Sequence, residues 1–149
     1  MSILAIDPGN EDSAYVLIDS NFKPLNFGKI SNDELLSSLK HYPAKEAVIE
    51  MIACYGMPVG EEVFETCVWI GKFAHELSIH KIPVTFVYRK DVKMHLCETT
   101  RAKDANVKQA LIDRFGQVGT KKNPGWFYGF KADVWAAYAV AVTYKEAAR

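Results

Sequence analysis

Apolar residues along this chain fall into short blocks whose period changes from two to about 3.6, and the changes mark the elements. Residues 2–6 are a short apolar run and predict a buried strand. A tight Pro8-Gly9-Asn10 turn follows, then Ser13 to Ile18 as a second strand and residues 24–30 as a third, shorter one. Three strands so close in sequence predict an antiparallel meander. Ser31 or Asn32 can cap a helix running to about His41, with Leu35, Leu36 and Leu39 facing inward, and Pro43 stops it. Residues 45–51 read as a fourth strand. A loop, Tyr55-Gly56-Met57-Pro58-Val59-Gly60, leads into a helix from about Glu61 to Ile79. Val63, Cys67, Ile70, Ala74 and Leu77 share one stripe of that helix. Phe64, Val68, Trp69 and Phe73 widen its apolar surface, enough to cover a second strand or meet another subunit. Pro83 to Tyr88 is a fifth strand. Helices at about 90–96 and 104–115 come next, with Asp104 as a cap for the second. A Gly-, Lys- and Pro-rich loop covers 116–130, and a final helix spans roughly 132–148, with Val134, Tyr138, Ala141 and Val142 in the core.

The order β-β-β-α-β-α-β-α-α-α predicts an α/β fold. Its sheet is five-stranded and mixed, an antiparallel meander plus two parallel strands, with helices packed on it. At 149 residues this is one domain, 1–149, large enough for a full core. No run approaches ~18 apolar residues, so no membrane span is expected. The N-terminus has no basic stretch before its apolar run, which argues against a signal peptide. Cys54, Cys67 and Cys97 are scattered, without metal-site spacing, as reduced thiols in a cytoplasmic protein would be.

Net charge is zero, but its distribution is uneven. Residues 1–80 carry 5 Lys and no Arg against 12 acids, and residues 81–131 carry 11 Lys plus Arg against 4 acids. An acidic half joined to a basic half fits an enzyme acting on a polyanion, and equally fits two ordinary solvated faces.

Three acids stand at element ends. Asp7 closes the apolar run Ile3-Leu4-Ala5-Ile6 and is opened to solvent by the Pro8-Gly9 turn. Glu50 follows Ala47-Val48-Ile49, and Asp133 begins the apolar stretch Val134 to Tyr144. An unpaired charge at the end of a buried strand costs several kcal/mol, and a metal ion is the usual compensation. The three acids therefore predict one converging, oxygen-rich metal site.

The residues ILAIDPG at 3–9, VIEM at 48–51, VYRKDVKMHLCETTRAKDANVKQAL at 87–111 and ADVWAAYAVAV at 132–142 together resemble the RuvC-type Holliday-junction resolvases of the RNase H-like superfamily. The form carried by phages and prophages is the nearest resemblance, which places the protein in the cytoplasm of a bacterium or a phage-infected host. The resemblance implies an RNase H-like fold and two Mg²⁺ ions about 3.5–4 Å apart, with Mn²⁺ as a substitute. Asp7 would bridge them, with Glu50 on one ion and Asp133 on the other. It also implies a fourth ligand, an Asp or His three residues before the last Asp, and that position here is Phe130. Asp104 and His95 are the candidates to stand in.

On this reading the substrate is branched DNA, the four-way junction above all. Phosphate contacts are expected from Arg101 and Lys103 in a small-residue turn, from Lys108, from Lys121 and Lys122 in a mobile loop beside the last helix, and from Lys131. Tyr55 either stacks on an unpaired base or is an ordinary half-buried tyrosine. Trp126, Phe127 and Tyr128 read as packing against the final helix. Paired nicks in a two-fold symmetric junction imply a homodimer, with the face of helix 61–79 that carries Trp69 and Phe73 as the candidate patch. Two alternatives stay open: an RNase H-like nuclease for other branched or hybrid nucleic acid, and a junction-binding protein whose site has degenerated.

Overall fold

The computed structural model describes residues 2–147. Strands β1 (Ile3–Asp7), β2 (Asp12–Ile18) and β3 (Pro24–Ser31) form the meander, with β1–β2 and β2–β3 antiparallel. Helix α1 (Asn32–Ser38) follows and tightens into a 3₁₀ turn at Leu39–His41. Ser31 caps α1, its hydroxyl accepting from the Glu34 N–H at 3.2 Å. Strand β4 (Glu46–Met51) pairs parallel with β1, and β5 (Val84–Tyr88) pairs parallel with β4, giving the sheet order β3-β2-β1-β4-β5. Helix α2 (Glu61–Ile79) joins those two strands. Helices α3 (Arg89–Cys97), α4 (Asp104–Phe115) and α5 (Asp133–Ala147) complete the chain.

Strand alternation sends successive side chains to opposite faces of the sheet, and both faces are covered. Leu4, Ile6, Leu17, Ala47 and Ile49 face α1 and α2, meeting Leu35, Leu39, Ile70, Phe73 and Leu77. Ile3, Ala5, Val16, Val48 and Val87 face α5, with α3 and α4 outside them. Helix α5 lies against the middle of the sheet, which is why Val134 and the run from Ala137 to Thr143 are all buried. Among the described residues no helix is long and apolar enough to cross a membrane.

Three local expectations are corrected. The buried seam of α2 is Thr66, Ile70, Phe73 and Leu77, while Cys67 is exposed and Val63 and Ala74 are half-buried. Thr66 tolerates burial because its hydroxyl donates to the Glu62 carbonyl at 2.8 Å. The turn of the seam makes Phe73 fully buried core and leaves Trp69 half-buried under the Lys72 ammonium, so these two do not form an exposed patch; Phe64 and Val68 are exposed instead. Asp104 is the first residue of α4 and not its cap. Lys103 holds that place, and its N–H donates to the Asn106 side chain at 2.9 Å. The loop after α4 folds into a small hairpin closed by the Gly119–Pro124 bridge. Glycine is required there, because a Cβ at Gly125 would lie 2.1 Å from the Gln117 carbonyl oxygen.

Candidate active site

Sheet register brings the candidate acids together. Lys29 is paired with Ala14, and Ala14 with Asp7. One step beyond the Ile6–Ile49 pair, Asp7 lies beside Glu50, and Glu50 is paired with Val87. Lys29, Ala14, Asp7, Glu50 and Val87 thus form one row across five strands, all on the face that α5 covers. The parallel strands β1, β4 and β5 all end at this edge, the usual place for a ligand in such a sheet. Asp133, at the start of α5, stands over the same edge: it lines one cavity with Asp7 and Lys29, while Asp7 and Glu50 line another of about 200 Å³ with Tyr55 and Arg89.

Asp7 is held at this edge by a polar knot. The buried Ser13 hydroxyl accepts from the Gly9 N–H at 3.1 Å and donates to the Asn32 side-chain oxygen at 2.5 Å. Asn32 returns a bond from its amide to the Gly9 carbonyl at 2.9 Å. Gly9 is needed because a Cβ there would meet the Asp12 carbonyl oxygen at 2.3 Å.

Burial pushes the Asp7 carboxyl up to about 8; the neighbouring Glu50 and Asp133 charges add to this, and the Arg89 guanidinium opposes it. Burial also raises Glu50, with Arg89 again opposing. Two carboxyls this close and this dry do not both ionise readily near neutral pH. Glu50 Oε2 is buried without a hydrogen-bond partner. An oxygen-preferring divalent cation fits here: it would occupy the orphaned oxygen and remove the repulsion that keeps a proton on Asp7.

No protein-family model matches the sequence, and no curated protein sequence matches it. Solved structures do. Thermus thermophilus RuvC superimposes with a TM-score of 0.75 over 100% of this chain and 96% of that one, at 16% identity. T. thermophilus RuvC in complex with a Holliday junction substrate gives 0.76 over 100% and 95%, at 17% identity. The chain has the RuvC fold. The five-stranded mixed sheet and flanking helices expected from the sequence are the observed ones.

Within the RuvC fold, the position three residues before Asp133 is closed to metal. Phe130 is buried in an aromatic cluster, 4.7 Å from Phe27, 5.2 Å from Phe127 and 5.1 Å from Trp135 between ring centres. Neither expected stand-in is free for the role. Asp104 is bonded to Arg89 at 2.9 Å. His95 lies on Glu146 at 2.8 Å, in the last turn of α5 and far along the helix from Asp133. Asp133 itself is bonded to Lys29, Nζ to Oδ2, at 2.7 Å. Among the described residues no three His, Cys, Asp or Glu side chains form a ready metal cluster. Asp7 and Glu50 come together as a pair, and Asp133 stands beside them on its own cation.

The basic residues divide into two groups. Arg101 and Lys103 are exposed in the turn between α3 and α4, and Lys131 is exposed two residues before Asp133. Lys108 sits over the Trp135 ring at 5.1 Å, and Trp135 lines a cavity with Arg89, Asp104 and Asp133. Lys121 and Lys122 are exposed at the tip of the hairpin. Trp126, beside the hairpin, stacks on Phe115, which packs on Phe22 in the β2–β3 turn at the opposite end of the sheet from Asp7. The loop is a pinned hairpin rather than a loose one. Tyr55 is 64% exposed at the mouth of the Asp7–Glu50 cavity, so it is not a half-buried tyrosine. Phe127 is buried and Trp126 half-buried, as packing requires, but Tyr128 is exposed.

Two residues of the site escaped the sequence reading. Arg89 lies 3.6 Å from Glu50 while bonding Asp104. Its signal was its place just past the end of a parallel strand. Lys29 had no sequence signal, since its partner is 104 residues away.

Proposed function

We propose that this chain is a divalent-cation-dependent endonuclease that cuts branched DNA, with the four-way junction as its main substrate. The observation that carries this is the Asp7–Glu50 pair: two adjacent carboxyls, both pushed upward by burial, in one cavity at the ligand-binding edge of a RuvC fold. The T. thermophilus RuvC that shares the fold is seen with a Holliday junction substrate, which favours a junction for this chain as well.

Asp7 and Glu50 would hold Mg²⁺, or Mn²⁺ in its place. A bound divalent ion supplies a water of lowered pKa and neutralises charge on the phosphate. Arg89 bridges Glu50 and Asp104 and holds both side chains in place. Lys29 fixes Asp133. Arg101, Lys103, Lys108 and Lys131 supply phosphate contacts that position the DNA without reading its sequence. Tyr55, exposed at the cavity mouth, offers a face on which an unpaired base at the junction centre can stack. The exposed Phe64 and Val68 of α2 offer a self-complementary patch for the homodimer that paired nicks require.

A synthetic mobile four-way junction, incubated with and without Mg²⁺, tests the reading. Symmetric nicks that need Mg²⁺ and disappear in Asp7→Asn and Glu50→Gln are expected, with the gel shift retained. Because losing even an outer-shell partner of a metal ligand costs 10–100-fold, losing a ligand should cost at least about 100-fold. Preferential cutting of RNA–DNA hybrids or flaps would move the substrate. Binding without products would reduce the protein to a junction binder.

A further inference from the structure

We propose that the site takes one divalent cation per chain, held by Asp7 and Glu50, and that the Lys29 ammonium occupies the place of a second ion. This rests on the function proposed above and deepens it. A site for two ions needs oxygen ligands on the Asp133 side as well as on the Glu50 side. Here the cavity on the Asp133 side is lined by Asp7, Lys29, Asp133 and the loop acids Glu11 and Asp12, and Lys29 is already on Asp133 at 2.7 Å.

Register builds that contact in. Lys29 and Asp7 lie in the same row of the sheet, separated only by Ala14. Asp133, at the start of α5, lines one cavity with Asp7 and Lys29. One row below, Phe27 lies beside Val16, and Phe130 packs on Phe27. An aromatic ring therefore fills the position from which a further ligand would come. Asp104, on the Arg89 side of Asp133, is held by Arg89.

The Lys29 side chain is 46% exposed, and an ammonium has three donors. After the bond to Asp133 it can still meet a phosphate oxygen from solvent.

The test is the stoichiometry of Mn²⁺ binding, followed by the EPR signal of free Mn²⁺ during titration of the full chain. Wild type should bind one Mn²⁺ per chain and Lys29→Arg also one. Lys29→Met frees Asp133 and should bind two, with the spectrum broadened by the nearness of the ions. Asp7→Asn should bind none. Two ions in wild type would overturn the proposal, while Mg²⁺-dependent junction cleavage would still uphold the function. One ion in Lys29→Met would remove the role given to Lys29. No Mn²⁺ binding by wild type would overturn this proposal and the metal-dependent function together.

Discussion

At the scale of single residues, the chemistry depends on where two carboxyls are held. Asp7 ends a strand whose preceding residues are almost completely buried, and Glu50 sits beside it by register. With its carboxyl pushed up to about 8 from an ordinary 3.8, the folded chain keeps a proton that the unfolded chain releases. The stability from this group is complete below the ordinary value and is lost as pH rises through about 8. One such proton is worth up to about 1.4 kcal/mol per pH unit. The Tm of the metal-free protein should therefore fall between pH 6 and pH 8.5, and Asp7→Asn should flatten the slope. Mg²⁺, which takes the proton's place, should raise the wild-type Tm more at pH 8 than at pH 6. Calorimetry in the presence of a chelator and then of Mg²⁺ checks both. Asp7 and Glu50 were legible in the sequence because each is a charge directly after an apolar run. Lys29 and Arg89 were not, since what makes them matter is a register and a side-chain geometry that form only on folding.

At the scale of elements, strand order and helix spans follow the hydrophobic periods closely, because each element buries one face. The exceptions have local causes. The seam of α2 runs through Thr66, which hydropathy counts as polar but which meets its own helix's backbone through its hydroxyl. The start of α4 is capped from within by Asn106, so Asp104 was released for Arg89. Helix α5 is seated by an aromatic cluster centred on Phe127, which is fully buried and touches Phe115, Phe130, Trp135 and Tyr138. Phe127→Ala should cost about 3–5 kcal/mol, read from denaturant unfolding. The loss should exceed that of Tyr128→Ala, since Tyr128 is 42% exposed. In the turn between α3 and α4, Arg101→Ala and Lys103→Ala should each lower the slope of log affinity against log salt by about 1 on junction DNA. Unchanged slopes would remove that turn from the DNA path.

At the scale of the whole molecule, sheet polarity gathers the chemistry at one edge. The three parallel strands point their ends there, and α5 begins there. The −7 balance of residues 1–80 and the +7 balance of residues 81–131 meet there through the Arg89 contact with Glu50. Composition showed the two halves but not their meeting. If the exposed α2 face joins two chains, wild type should sediment as a dimer at micromolar concentration and Phe64→Glu as a monomer. A wild-type monomer at that concentration would count against a paired-nick enzyme. The most direct measurement of the central claim is anomalous diffraction from a crystal soaked in Mn²⁺. The account predicts a peak within bonding distance of both Asp7 and Glu50, on the side of the orphaned Glu50 oxygen. A crystal with Mn²⁺ bound elsewhere and nothing between these two carboxylates would contradict it.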